Sequence, residues 1–257
     1  MTEAPSVPDS RKRLRFVGIF AIYAVVTTLM APLFFIFGPF FPRFYYPYAQ
    51  SWTQMFIELC GAKVRIHGLD RPDWERPAVL VSNHLSYLDF ALLMALSPVQ
   101  IHFIAMKSLR FVPFVGAAMR CMQMIFIDRR SPTRAYESIE LAVQRIADGR
   151  HVLSFPEGGL SRDGQVGRFK KGLFRLAIMA QVPVIPVVLR NTHNVMDNVN
   201  KKAWPGEVEV EFLDPIETAD YGEANLQALI DLTRERIVAA YGDGSLAGVG
   251  YELYKAH

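Results

Sequence analysis

Cysteine is scarce in this chain: two in 257 residues, Cys60 and Cys121. They fall in different predicted elements and show no metal-type spacing. That excludes a disulfide framework and suits free thiols in a reducing compartment. Excess charge is lacking too. There are 28 Lys and Arg against 25 Asp and Glu, a net charge of +3, so charge alone leaves no footprint for nucleic acid. Internal repeats and low-complexity tracts are absent. No Gly-x-Ser-x-Gly elbow occurs, which counts against a serine hydrolase of the α/β type.

Apolar residues are plentiful, at 51% of the chain, and they concentrate near the N-terminus. A polar tail leads into a basic cluster, Arg11-Lys12-Arg13 and Arg15, and then into Phe16 to Phe41 without a charged residue. Roughly 20 helical residues suffice to cross the hydrocarbon core, so this run is long enough. Pro32 and Pro39 argue against one straight helix. The run is too long for a signal peptide, and no small-x-small cleavage site follows it. The basic cluster places the N-terminus on the cytoplasmic side. The aromatic stretch Phe44 to Leu59 suits a membrane interface or packing on a domain.

From Ala62 onward, strand and helix patterns alternate. Strands are predicted at 63–67, 78–82, 101–105, 123–127, 152–155, 184–189 and 207–212. Helices are predicted at 86–96, 114–120, 132–147, 171–181 and 223–241. The helix over 132–147 has Pro132 at its start, apolar Ile139, Ala142, Val143 and Ile146 at helical spacing, and Gly149 past its end. Such alternation predicts an α/β fold: a central mixed, largely parallel sheet flanked by helices, with an N-terminal hydrophobic, membrane-associated helical segment. The chain divides into 1–61 (basic tail and apolar segment), 62–241 (the α/β domain) and 242–257 (a C-terminal tail).

Sites in such sheets gather at the carboxyl ends of strands, and two groups of residues fall there. His84 follows the apolar run Ala78-Val79-Leu80-Val81, with Asp89 five residues on. A histidine near neutral pKa, held in one tautomer by a carboxylate, can take a proton from an alcohol. The alternative is structural: Ser86-Tyr87-Leu88-Asp89 resembles a capping box, and His84 can be a plain hydrogen-bonder. The second group is Phe155-Pro156-Glu157-Gly158-Gly159-Leu160-Ser161-Arg162-Asp163-Gly164, a tight loop with backbone N–H groups to offer an anion. Lys107, Arg110, Arg129, Arg130, Arg162, Arg168, Lys170 and Lys171 fall in predicted loops or helix starts. Arg129 directly follows a strand and is a ligand-anion candidate. The rest suit a solvated surface or an anionic membrane.

Taken in order, Asn83-His84-x4-Asp89, Ala105-Met106-Lys107-Ser108-Leu109 with Pro113 and Gly116, Ile127-Asp128-Arg129, Phe155-Pro156-Glu157-Gly158 and Val182-Pro183-Val184-Ile185-Pro186-Val187 resemble the glycerolipid acyltransferases. The resemblance covers roughly residues 62 to 215. It is nearest to the bacterial 1-acylglycerol-3-phosphate (lysophosphatidate) acyltransferase type. It implies that 62–241 is an acyltransferase domain in which His84 is the general base on a lysolipid hydroxyl and Asp89 orients its imidazole. It further implies that Glu157 and Gly158 bind the glycerol or its phosphate, and that Arg129, Lys107 and Arg162 meet substrate phosphate. The donor would be acyl-CoA or acyl-carrier protein, the acceptor a lysolipid, and the setting a lipid bilayer with the site on its cytoplasmic face. No metal, cofactor or nucleic acid is implied.

The family's third block usually runs Glu-Gly-Thr-Arg-Ser, whereas this chain has Glu157-Gly158-Gly159-Leu160-Ser161. The phosphate-holding arginine has no counterpart at 160, which opens a second expectation: a different lysolipid acceptor, head-grouped or amino-linked. Two further classes stand beside these. One is a hydrolase pairing His84 and Asp89 with Ser82, Ser86 or Ser161. The other is a non-catalytic module gripping anionic lipid.

Overall fold

The computed structural model describes residues 7–37, 40, 45–112, 115–127 and 132–242. Arg129, with Pro113, Asp128, Arg130 and the tail 243–257, lies outside the described residues.

Seven strands form one sheet: β1 (Ala62–His67), β2 (Val79–Ser82), β3 (Ile101–Met106), β4 (Ile125–Ile127), β5 (His151–Ser154), β6 (Val184–Arg190) and β9 (Gly206–Phe212). Their spatial order is β1-β9-β6-β2-β5-β3-β4. Every neighbouring pair is parallel except β6 with β9. The mixed, largely parallel sheet expected from the sequence is thus present. A two-stranded hairpin, β7 (Met196–Asp197) with β8 (Lys202–Ala203), stands apart from it.

Central strands buried on both faces read as unbroken apolar runs. β2 and β5 are buried along their whole length, and their alternate residues feed two cores. Leu80, Leu153 and Ile185 point to one face, against α2 (Tyr45–Cys60) and α3 (Leu88–Leu96). Val79, Val152 and Val184 point to the other, against α5 (Pro132–Ala147), α6 (Gly172–Ala180) and α8 (Leu226–Tyr241). The remaining helices are α1 (Asp9–Phe37), α4 (Val115–Cys121) and α7 (Thr192–Val195). Pro186 sits inside β6, where a proline normally costs a ladder bond. It falls just before the β9 pairing, which begins at Val187↔Phe212, and its carbonyl accepts the N–H of Leu213.

The N-terminal apolar segment is helical straight through Pro32. One side of α1 packs on α2, with Tyr23 4.7 Å from both the Trp52 and the Phe56 ring. Trp52 Nε1 donates to Thr27 Oγ1 at 2.9 Å. Arg15 Nη2 donates to the Leu59 and Cys60 carbonyls at 3.0 and 3.2 Å, placing a cation on the negative end of α2. The other side leaves Leu14, Val17, Val25 and Leu29 exposed. The helix is long and apolar enough to cross a membrane by length and composition. α2 is part of the sheet's core: Ala49, Phe56, Ile57 and Cys60 are buried there, and Tyr46 Oη donates to the Val99 carbonyl at 2.7 Å.

Candidate active site

β2 and β5 are adjacent and parallel, so the segments leaving their carboxyl ends emerge side by side. The first carries His84 and the second Glu157. Asn83 anchors the first segment. Its Nδ2 donates to the Leu189 carbonyl and its Oδ1 accepts the Leu189 N–H, both at 2.9 Å. This two-way bond ties the start of the turn to β6, with Asn83 fully buried.

Asp89 is also fully buried, at 0% exposure, and a buried carboxylate needs donors. Its Oδ2 accepts three: the Leu85 N–H at 2.6 Å, the Ser86 N–H at 2.9 Å and His84 Nδ1 at 2.9 Å. The reach back to Ser86 is the Asp half of a capping box. The serine half is absent, since Ser86 Oγ accepts the Leu88 N–H at 3.1 Å, one residue short. Capping and orienting therefore coexist on one oxygen. Because Asp89 accepts at Nδ1, the proton sits there and Nε2 carries the lone pair. The imidazole stacks on Phe155, with centroids 3.9 Å apart and planes 11° from parallel. Among the described residues Nε2 has no protein partner.

Glu157 holds the second segment against the first. Its Oε1 accepts the His84 N–H and its Oε2 the Gly167 N–H, both at 2.9 Å. Each carboxylate oxygen thus holds one backbone N–H. Burial pushes the Glu157 carboxyl above its ordinary range, opposed by the N–H bonds from Gly167 and His84. A Cβ at Gly167 would come within 2.8 Å of Glu157 Oε2, so glycine is what permits the close approach. The Ser161 N–H returns to the His84 carbonyl at 2.8 Å.

A cavity of about 580 Å³ opens at His84. Its walls are overwhelmingly apolar and run between the sheet and the α1–α2 pair, past Phe20, Trp52, Phe90, Phe103 and Met119. Gly158 and Gly159 form part of the lining near His84. Gly158 holds φ 81°, a left-handed turn that suits glycine.

The structure brings His84, Asp89, Glu157 and Gly158 together. Lys107 begins a 3-10 turn, Lys107–Phe111, directly after cavity-lining Met106. Arg162 is exposed on the loop beside Ser161, and Arg168 is exposed farther along it. The serines proposed for a hydrolase have their hydroxyls committed elsewhere. Ser82 Oγ donates to the Asn83 carbonyl, Ser86 Oγ to the Met196 carbonyl, and Ser161 Oγ to Asp163 and the Gln165 carbonyl. Sequence reasoning missed Asn198 in the β7–β8 turn. Its Oδ1 accepts the Tyr87 N–H at 2.8 Å and the Ser86 hydroxyl at 3.1 Å, bracing the start of α3. The clustered Asp197-Asn198-x-Asn200 of that turn was the available signal.

A family model described as Acyltransferase matches residues 63–190. The chain is 33% identical over 181 residues to a chloroplastic 1-acyl-sn-glycerol-3-phosphate acyltransferase of Arabidopsis thaliana, covering 70% of this chain and 50% of that one. It is 31% identical over 194 residues to the 1-acyl-sn-glycerol-3-phosphate acyltransferase alpha of Mus musculus, covering 75% and 68%. The 1-acyl-sn-glycerophosphate (LPA) acyltransferase PlsC of Thermotoga maritima has the same fold, with a TM-score of 0.73 and 21% identity, covering 90% of this chain and 98% of that one. The chain spans 50%, 63% and 58% of three of the curated relatives it matches.

Proposed function

The chain belongs to the acyltransferase family, and from that premise we propose that it is a membrane-associated O-acyltransferase. It moves a fatty acyl group from a thioester, acyl-CoA or acyl-carrier protein, to the free hydroxyl of 1-acylglycerol-3-phosphate, giving phosphatidate. The observation that carries this reading is the pairing of a His84–Asp89 dyad with an apolar cavity that opens at the same imidazole. A cavity of about 580 Å³ falls within the roughly 300–1,000 Å³ of ligand sites. Its aliphatic and aromatic walls suit a hydrocarbon chain.

His84 Nε2 accepts the proton of the lysolipid hydroxyl as its oxygen attacks the thioester carbonyl. The imidazolium is stabilised by Asp89 at Nδ1. When the tetrahedral intermediate collapses, the C–S bond breaks and the thiolate takes the proton from Nε2. The acyl group has then become an ester and the base is regenerated, with no acyl-enzyme. Glu157 acts on the loop that carries His84: it fixes the His84 backbone while Asp89 fixes the ring. Lys107 and Arg162 are the cations proposed for substrate phosphate, together with Arg129. The exposed apolar side of α1 and the exposed tip residues Met106, Phe111 and Val112 support a bilayer as the surface on which this happens. The site is proposed to face the cytoplasm, where the thioester donors are.

A second reading rests on one observation. Gly159 lines the cavity and Leu160 follows it half-buried, with no arginine at either position. A head-grouped lysophospholipid or a lyso-aminolipid would then be the acceptor, by the same chemistry. An acceptor panel decides. Purified protein receives labelled acyl thioester with lysophosphatidate, neutral-headed lysophospholipids, a lyso-aminolipid, or water alone. Transfer mainly to lysophosphatidate supports the first reading, and transfer mainly to another lysolipid supports the second. Free fatty acid released to water alone would defeat both.

A further inference from the structure

A second cavity, of about 400 Å³, lies at the other end of the sheet. His102 is the second residue of β3 and His151 the first of β5, so the cavity sits at the amino ends of strands whose carboxyl ends face the catalytic side. Its walls are mainly polar. They include Trp74, Gln100, His102, Gln123, Arg150 and His151.

Both histidines are buried and neutral in role. His151 Nε2 lies 3.1 Å from the Trp74 carbonyl, so that nitrogen carries its proton. His102 Nε2 faces two donors instead, Arg150 Nη1 at 3.2 Å and Gln100 Nε2 at 3.3 Å, so it is the acceptor. Arg150 Nη1 also donates to Gln123 Oε1, and Arg145 Nη1 donates to that same oxygen at 3.2 Å. Two guanidinium groups thus converge on one neutral amide. Arg145 Nε is buried with no acceptor.

Other arginines of the fold are neutralised by a carboxylate or hold backbone carbonyls, as Arg15 and Arg234 do. Arg65, Arg71, Arg76, Arg175 and Arg190 each pair with a carboxylate. Among the described residues neither Arg145 nor Arg150 does. Two like charges held together cost energy unless an anion joins them. A guanidinium fork beside amide donors is the arrangement that grips phosphate oxygens.

We propose that this cavity is a binding site for a phosphate group, with Arg150 as its principal contact, Gln100 and Gln123 as polar partners, and Trp74 as an apolar wall. The proposal does not depend on the acyl-transfer reading. The phosphate arrives either on a soluble compound or on a lipid head group, since Tyr45 and Tyr46 at the start of α2 also border the cavity. Buried Met122 lines both this cavity and the apolar one, so an occupant here touches a wall that the apolar cavity shares.

The test uses the full chain in neutral detergent. Tryptophan emission is followed during titration with inorganic phosphate, against chloride at equal ionic strength, and the Trp74 component is the part removed by Trp74→Phe. A parallel arm uses phosphatidylcholine vesicles with and without phosphatidate. The expected result is a saturable Trp74 response. It should weaken at least tenfold in Arg150→Gln, weaken less in Arg150→Lys, and persist in Lys107→Gln on the catalytic side. A response to free phosphate identifies a soluble source, and a response only to phosphatidate vesicles identifies a head group. Circular dichroism reports folding. If Arg150→Gln misfolds, Arg145→Gln and Gln100→Ala decide, each expected to weaken binding at least threefold. No saturable response in either arm, or one that these substitutions leave unchanged, overturns the proposal.

Discussion

Glu157 reaches from the loop after β5 to hold the backbone N–H of His84 at 2.9 Å. Asp89 holds the same residue's ring at Nδ1, also at 2.9 Å. Main chain and side chain of His84, the proposed base, are thus fixed independently, by carboxylates from two parts of the chain. Positioning of this kind fixes the geometry of attack before substrate arrives.

His84→Ala is expected to lower acyl transfer by about 10²–10⁴-fold, the usual worth of a general base, while leaving the unfolding transition in place. Asp89→Ala should do more. It strands the Leu85 and Ser86 N–H groups in a buried site, at about 1–3 kcal/mol for each unsatisfied donor. Asp89→Asn separates the two roles: an amide oxygen can still accept backbone N–H but cannot stabilise an imidazolium. Denaturant midpoints alongside rates make the comparison. Wild-type rates in a folded His84→Ala protein would remove the mechanism.

Glu157→Gln keeps the shape but offers one acceptor oxygen to two backbone donors. The expected result is a fall in kcat of ~10-fold or more with KM for the lysolipid little changed, as for an interaction that sets geometry and not ground-state affinity. A rise in KM with kcat intact would instead place the carboxylate on the acceptor. Steady-state kinetics over a range of acceptor concentrations tells these apart.

Leu160→Arg restores a guanidinium beside cavity-lining Gly159. If phosphate recognition is what position 160 governs, the ratio of lysophosphatidate to head-grouped lysolipid turnover should rise. A charge-assisted hydrogen bond worth about 1.5–3 kcal/mol corresponds to roughly 10–150-fold. An unchanged ratio in competition assays would mean that Lys107, Arg162 or another cation already supplies that contact.

His102 gives stability a pH dependence. Burial, and then the nearby Arg150 charge, push its imidazole down to about 4, below the ~6.5 of an unfolded chain. Above pH 6.5 both states are neutral there and the full stability is present. Between 6.5 and 4 the unfolded chain takes a proton that the folded one refuses. Stability is therefore lost as pH falls, by roughly 3 kcal/mol at the lower limit. Unfolding in phosphate-free buffer at pH 7 and pH 5 should show this slope, and His102→Gln should flatten it. Identical slopes in the two proteins would contradict the assignment.

Much of this arrangement could be read from residue order. The apolar run before His84 and the one ending at Phe155 marked strands, which the fold buries on both faces, and Pro132 and Gly149 bracketed α5 with the observed bounds. Asp89 was legible both as a cap and as a partner of His84, because both roles are local and lie within five residues. What could not be read depends on contacts distant in sequence. Glu157 meets a backbone N–H 73 positions away, and Asn198 braces Tyr87 across 111. No pattern within a segment encodes such pairs. Pro32 and Pro39 argued against one straight helix; Pro39 lies outside the described residues. Pro32 does not interrupt α1, because packing of Tyr23, Phe34 and their neighbours on α2 sustains the helix on both sides of it. The helix predicted from Ser86 begins at Leu88, since the side chains of Asp89 and Asn198 hold the preceding residues in a turn.

Among the described residues the edge strand β1 has a single neighbour in the sheet, β9, with Ala62 beside Gly206 and His67 beside Glu211. Pairings this far apart in sequence carry a large loop-closure cost and form late. On the ribosome, α1, α2 and β1 emerge well before β9, the strand that completes β1. Strand β1 is therefore held in register only when synthesis of the sheet is nearly finished. Until then the apolar N-terminal helix precedes a sheet that still lacks a paired edge.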